Sequence, residues 1–427
     1  IASYIHLVCI VAVRPFAGKP QFLETRMLSA YRTLFSVPGA TAFTLADLLA
    51  RLPLPMTGIG IITLLAQLRG SYALAGAVSA TFVLSYALAS PRISRWVDRH
   101  GQARVLPWAA TASVAGMLLL LLASHWQAPD WLLFTGAALA GCMPSMSAML
   151  RARWTVIYRG QAPLQTAYSL ETVFDELGFI AGPPLAIGLS VALFPQAGLL
   201  CAALLLALGT GMLALQRATQ PQPDPEATNS AGRSVIAAAD VRLLAVLMVA
   251  MGVIVGSIDI TSVAFAEQHG QPFAASIVLS AYAVGSCAAG LVFGVLKLTT
   301  PLQRLLLWCG TATALCTLPL LLVTSLPALA ASVLLAGTFF APTMIVVMSL
   351  IERSVPPRQL TEGITWLLAG LNVGVALGAA ATGQRVDAAG AGAGFAVSVV
   401  AGAAVLLLSI CAARRLRPRL LQPSNAC

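Results

Sequence analysis

Three observations predict an all-α membrane protein of twelve transmembrane helices in two pseudo-symmetric six-helix bundles. Hydrophobic residues make up 58% of the 427-residue chain and charged residues only 9%, where an ordinary soluble domain carries about 25% charged residues. The apolar runs reach the ~20 residues that a helix needs to cross a bilayer. They exceed what barrel strands require, and a backbone facing lipid must pair its own polar groups, so the runs are helices. Between two groups of six runs lies one polar stretch, Gln216 to Asp240, with Pro221, Pro223, Pro225, Asn229, Ser230 and Gly232. It cannot span and reads as a flexible linker.

The elements follow in order. Residues 1–39 are a leader and cytoplasmic segment. The apolar piece from Tyr4 to Val13 is too short to cross a membrane, and with no basic region before it, it makes a poor signal peptide. Met27 reads as the true start, which makes residues 1–26 an upstream extension. Spans are expected at 40–68, 72–91, 105–124, 130–150, 164–190 and 197–216, an N-terminal bundle over 40–216. A cytoplasmic linker, 217–242, leads to spans at 243–265, 275–297, 305–323, 328–350, 362–383 and 392–413, a C-terminal bundle over 243–413. Residues 414–427 form a basic cytoplasmic tail.

Charge sets the orientation. With both termini cytoplasmic, all 25 Lys and Arg residues except Arg51, Arg69 and Arg385 fall in cytoplasmic segments, as the positive-inside bias requires. The loop from Ser90 to Leu106 alone holds Arg92, Arg95, Arg99 and Arg104. The net charge of +10 is therefore a topology signal, and no nucleic-acid partner is expected. The chain is placed as a multi-pass protein of the cell inner (plasma) membrane, embedded in the lipid bilayer. The eight cysteines lie mostly inside spans and form no Cys-x-x-Cys pair, so they read as packing residues and no metal is expected. The four histidines are dispersed, and there is no nucleophile–base spacing, phosphate-binding loop or ATP-binding motif. An enzyme is not expected, no cofactor is implied, and any uphill work must draw on an ion gradient.

The two halves also resemble each other. At a displacement of 200 residues, Arg104, Leu106, Trp108, Thr111 and Ala112 meet Arg304, Leu306, Trp308, Thr311 and Ala312. At nearly the same offset Pro144-Ser145-Met146 in span four meets Pro342-Thr343-Met344 in span ten. Duplicated halves in parallel orientation are how alternating-access carriers are built, with a central site at the interface.

Short motifs sharpen this. Between spans two and three, Asp98-Arg99-His100-Gly101 matches the centre of Gly-x-Leu-Ala-Asp-Arg-x-Gly-Arg-Arg, with Ser94 at the first glycine and Gln102 at the first following arginine. Span five carries Gly178-x-x-x-Gly182-Pro183, with Ala186 and Ile187 where an exporter motif has paired glycines, and span one carries Pro53-Leu-Pro55. On these residues the chain, from about 27 to 420, resembles the major facilitator superfamily, most closely its twelve-helix drug:proton antiporter branch. The resemblance implies the major facilitator fold and a cytoplasmic latch of Asp98, Arg99, Gly101 and Arg104. In that latch Asp98 faces the positive N-terminus of helix eleven near Thr361 to Gly363, and Gly101 permits the tight turn. It also implies a helix-five hinge, where Gly178 and Gly182 let two helices approach closely and Pro183 gives a bend. Span four, between Phe134 and Leu150, lacks the arginine that many proton-coupled members carry. Arg51 is the expected substitute.

Charges inside the spans are the remaining candidates, because each costs at least ~2.5 kcal/mol in hydrocarbon and needs a reason to be there. Asp47 and Arg51 are four apart and can pair, either to neutralise each other or to bind. Glu171, Asp175, Gly178 and Gly182 share a ~60° arc of one helix, and Glu176 points elsewhere. Glu171 is near the helix end and is expected to snorkel; Glu352 and Glu362 flank helix ends and are expected in solvent. Asp259 lies deep in span seven beside Ser257 and Thr261. Asp47, Glu171, Asp175, Glu176 and Asp259 thus outnumber one buried Arg51. Such an interior repels anions and favours a cationic or neutral small molecule together with protons, with Asp259 and Asp175 the first candidates for coupling. The expected function is secondary active transport by a monomer, by alternating access and proton-coupled efflux of a small organic molecule. A proton-coupled uptake symporter and a non-transporting membrane sensor are the alternatives.

Overall fold

The computed structural model describes residues 29–70, 72–222, 234–271, 274–296 and 300–416. The extension with Met27, the linker positions Pro223, Pro225, Asn229, Ser230 and Gly232, and the tail from residue 417 lie outside the described residues. Regular structure among the described residues is helical throughout.

The first bundle begins with α1 (Ala40–Arg51) and α2 (Pro53–Arg69), which join through Leu52 into one span of residues Ala40–Arg69. Pro53 and Pro55 lack the N–H groups that would bind the carbonyls one turn back, so the helix is interrupted where Arg51 sits. Next come α3 (Tyr72–His100) and α4 (Gln102–His125), joined by Gly101 alone. Gly101 has φ +85°, a left-handed value that a residue with a Cβ resists, and it turns the chain between two antiparallel helices in one residue. After α5 (Asp130–Ala140) and α6 (Met146–Tyr158), the bundle closes with α7 (Pro163–Ala192) and α8 (Ala197–Leu215). The second bundle contains α9 (Ala239–Gln268), α10 (Ala274–Val295), α11 (Leu302–Thr317), α12 (Leu326–Ser354), α13 (Leu360–Ala389) and α14 (Ala391–Arg415).

Eleven helices among the described residues are long and apolar enough to cross a membrane, and α5 is a shorter apolar helix. The twelfth crossing is α5 and α6 in series, so the expected single helix over 130–150 is corrected in two ways. It breaks at residues 141–145, around Pro144, and it resumes to Tyr158 instead of ending at 150. The broken ends are satisfied locally: Ser113 Oγ donates to the Ala140 carbonyl at 2.6 Å, and Tyr86 bonds to Ser145. By contrast α12 runs unbroken through Pro342, although the two prolines occupy matching places in the repeat.

Small residues set how tightly the second bundle packs. Gly252 and Gly256 of α9 face Gly374 and Gly378 of α13 so closely that a Cβ on Gly252 would lie 2.1 Å from the Leu371 carbonyl oxygen. Glycine alone allows backbones to approach in this way. The described ends of the linker are anchored to the bundles. Buried Arg153 donates to the carbonyls of Leu213 and Gln216, both at 3.0 Å, and to Thr219 Oγ1 at 2.7 Å, and a short 3-10 turn at Val235–Ala237 leads into α9.

Candidate functional site

The charges of the first bundle condense into one buried network. Arg51, at the α1–α2 interruption, touches Asp47 and Glu171 and reaches Asp175 Oδ1 at 3.1 Å. Its Nη1 also donates to the Glu171 carbonyl at 3.0 Å. Asp47 pairs with Arg51 as the spacing suggests, although neither of its oxygens makes an aligned hydrogen bond. Glu171 is 0% exposed, so it does not snorkel: the Trp154 indole N–H donates to its Oε1 at 2.9 Å. Asp175 receives Arg151 Nη2 at 2.7 Å and the Ser147 hydroxyl.

Arg151 and Arg153 were not expected here. The sequence puts them in a loop after span four, but α6 carries both inside, each 0% exposed. The expectation that span four supplies no arginine is therefore corrected: Arg151 lies one residue past its proposed end and holds Asp175. Arg153 acts electrostatically on Asp47 and lies 5.9 Å from the centroid of the Phe43 ring. Its Nε donates to Gln102 Oε1 at 2.7 Å, so Gln102, at a family arginine position, is a buried acceptor. The stripe that could have shown the helix continuing is Leu150, Trp154 and Tyr158, four apart and apolar on one face.

Around Glu176 the surroundings reverse. It leans from α7 into the second bundle, where the Ser286 hydroxyl donates to its Oε1 at 3.0 Å. Asp259 of α9 acts on it electrostatically, and no arginine or lysine pairs with either acid among the described residues. The five intramembrane carboxylates thus face three buried arginines instead of one, and the surplus of negative charge is confined to Glu176 and Asp259.

The bundles meet on the side that carries the linker. Asp98 Oδ2 accepts the backbone N–H of Glu362 at 2.9 Å at the start of α13. Glu362 is 1% exposed, not solvated as its place at a helix end suggests, and accepts Arg95 Nη2 at 2.8 Å and the Ser234 hydroxyl from the linker's end. Ser94, in place of the motif's glycine, bonds Thr365 across the interface at 2.7 Å. Arg99 is half-buried and Arg104 exposed. Between α7 and α10, Thr166 Oγ1 donates to the Gly294 carbonyl at 2.6 Å, and Arg159, at the end of α6, pairs with Glu352 of α12 at 3.3 Å. Tyr31, in the helical turn before α1, donates to the Leu291 carbonyl at 3.0 Å. Burial pushes its hydroxyl up to about 12, so it remains a donor throughout the physiological range.

The proposed hinge divides. A Cβ on Gly182 would lie 2.8 Å from Pro55 of α2, which brings the Gly-x-x-x-Gly-Pro and Pro-x-Pro segments together beside Pro183. Gly178 has open space at its Cβ, so the close approach expected there is not made.

A family model described as Major Facilitator Superfamily matches residues 43–296 and also residues 242–426. The chain belongs to the Major Facilitator Superfamily. Solved structures of similar fold include the human organic anion transporter MFSD10 (TETRAN), at 15% identity and TM-score 0.65 over 87% of this chain and 100% of that one. A bacterial homologue of the iron transporter ferroportin, in an outward-facing state, matches at 16% identity and TM-score 0.68 over 88% and 99%. The E. coli fucose:proton symporter FucP matches at 12% identity and TM-score 0.64 over 87% and 98%. No curated protein sequence matches the chain. Superfamily membership makes this a multi-pass membrane transporter of the secondary type, with a small-molecule substrate.

Proposed function

We propose that this superfamily member exports a small cationic or neutral organic molecule across the cytoplasmic membrane in exchange for protons, by alternating access. The bundles are residues 40–216 and 243–413, the linker side is cytoplasmic, and the protein acts as a monomer. The observation that carries this reading is closure on the linker side among the described residues: hydrogen bonds between the bundles gather at the linker-side ends of α3, α7, α10 and α13, and the Ser286–Glu176 bond lies deeper, inside the spans. Asp98, Arg95 and Glu362 latch that side, with Gly101 shaping the turn, and opening requires these contacts to break. Export is favoured by the junction of Gly182 with Pro55, since both belong to segments resembling those of the antiporter branch. Proton exchange falls to Asp259 and Glu176. Asp175, first named beside Asp259, is held between two guanidiniums and is better suited to structure.

The test is transport by the full chain in proteoliposomes under an imposed pH gradient. Accumulation of an organic cation on the acidic side, driven by protons moving the other way, is the expected result. Movement of the compound with the protons identifies an uptake symporter instead. Absence of both net flux and counterflow makes the protein a sensor.

A further inference from the structure

The linker-side ends of α9 and α14 enclose a groove of about 800 Å³. It has a charged mouth and an apolar wall. On α9, Arg242 stands near the start of the helix and Leu243 and Val246 follow toward the bilayer; on α14, Arg414 and Arg415 close the last turn and Leu408 lies about two turns deeper. Helical spacing produces this order, because Arg242 and Val246 are four apart and Leu408 and Arg415 seven apart, so each pair shares one face of its helix. The antiparallel helices therefore bring their cationic ends together. Arg415 pairs with Asp240, whereas no acid pairs with Arg242 or Arg414 among the described residues. Three guanidiniums face one carboxylate.

The lining selects its occupant. A soluble anion has no use for the wall of Leu243, Val246 and Leu408, and an apolar chain alone has none for the arginines. These residues lie at the ends of the spans Ala239–Ala266 and Ala391–Arg415, where bilayer gives way to water, and Val246, Arg242 and Arg414 are all exposed. A guanidinium presents parallel N–H donors that match phosphate oxygens, and basic pockets between transmembrane helices take anionic headgroups. The chain's own tail is a poor occupant by charge, since it adds Arg417 and Arg419 and no acid. We propose that this groove binds an anionic phospholipid, its phosphate between Arg242 and Arg414 and one acyl chain against Leu243, Val246 and Leu408. No lining residue comes from the first bundle, so the site stands apart from the junction that the carrier reading uses. A lipid seated there braces the helix that follows the linker against the helix that ends the second bundle.

The experiment is native mass spectrometry of the purified full chain in detergent, titrated with phosphatidylglycerol, with phosphatidylcholine of the same acyl chains, and with glycerol phosphate. Phosphatidylglycerol is expected to bind at least tenfold tighter than either of the others. Arg242→Gln and Arg414→Gln, both at exposed positions that leave the fold intact, should each weaken it about fivefold and together about 25-fold. Val246→Trp, which fills the wall, should weaken it at an unchanged melting temperature. Arg92→Gln, at an exposed arginine of α3, should leave binding as it was. Equal binding of the two phospholipids makes the groove ordinary lipid-facing surface, and equal binding of glycerol phosphate makes it a soluble-anion site; either overturns the proposal. So does an equal loss in Arg92→Gln, or a tenfold gain when Asp224 and Glu226 are replaced by Asn and Gln, which assigns the groove to this chain's own linker. The carrier reading fails separately: selective phosphatidylglycerol binding with no counterflow in proteoliposomes sinks transport and leaves the site standing, whereas counterflow without lipid preference sinks the site alone.

Discussion

Asp175 and Glu176 are neighbours in sequence and opposites in surroundings. Asp175 lies between Arg151 and Arg51 with a serine hydroxyl besides; Glu176 has one neutral donor, Ser286, contributed by the other bundle. The first environment compensates its charges and the second does not. A compensated buried network resists change, because removing one member strands the others. An uncompensated acid at a bundle interface is free to exchange its counter-charge, which is what a coupled carrier needs. One helical step of about 100° is enough to separate a charge-compensated carboxylate from an uncompensated one.

The largest test of this contrast is Arg51→Met. It leaves Asp47 and Glu171 buried without their guanidinium, and breaking a buried pair in this way costs on the order of 3–5 kcal/mol. Folded yield after extraction should fall sharply, as measured by size-exclusion chromatography and thermal unfolding. Near-normal stability would mean that the network is not the structural half of the pair.

Next come two matched substitutions. Asp175→Asn should lower stability by roughly 1.5–3 kcal/mol, the usual worth of hydrogen bonds to a charged group. Asp259→Asn should change it by under about 1 kcal/mol, since no ion pair is lost. Transport should behave in reverse, with the pH-driven component lost in Asp259→Asn and the residual activity per folded molecule retained in Asp175→Asn. Retention of normal pH dependence by Asp259→Asn would erase the distinction.

Much of this was legible in advance, and the failures have physical causes. Span number follows from length and apolarity, which are local properties, so the twelve-span architecture could be read directly. The acids could be read too, because charge in an apolar run stands out. Their partners could not. Arg151 and Arg153 lower the apolarity of the segment after Leu150 and so mimic a loop, although what keeps them inside is Asp175, Gln102 and the end of α8, all distant in sequence. Glu362 was misplaced for the same reason: a helix end looks solvated until Arg95 and Ser234 are found against it. Spacing told which helix face Gly178 and Gly182 share, but not that Pro55 lies opposite only one of them.

That last difference supplies a smaller test. Gly182→Leu overpacks the contact with Pro55 and should cost about 1–3 kcal/mol, with slower exchange, whereas Gly178→Leu should stay within about 0.5 kcal/mol. Melting temperatures of the two variants decide it, and equal values would detach the hinge from this junction. The smallest effect is expected at the latch. Asp98→Asn keeps the shape of the side chain and weakens its charge-assisted bond to the Glu362 N–H, so transport should slow by about threefold at unchanged abundance. Unaltered rates would make the loop a topology signal and nothing more.

The interruption at Pro144 has a mechanical meaning. A continuous α-helix passes rotation along its axis because each turn is bonded to the next, and residues 141–145 remove that linkage between α5 and α6. Twist applied to the outer piece is dissipated at the gap before it reaches Arg151 and Trp154. In the other half of the duplication, α12 stays helical through Pro342 along its full length, losing only the backbone bond that the proline cannot donate. The two halves therefore differ in continuity at equivalent places: one holds its ion network on a segment separated from the outer piece, and the other keeps a single helix.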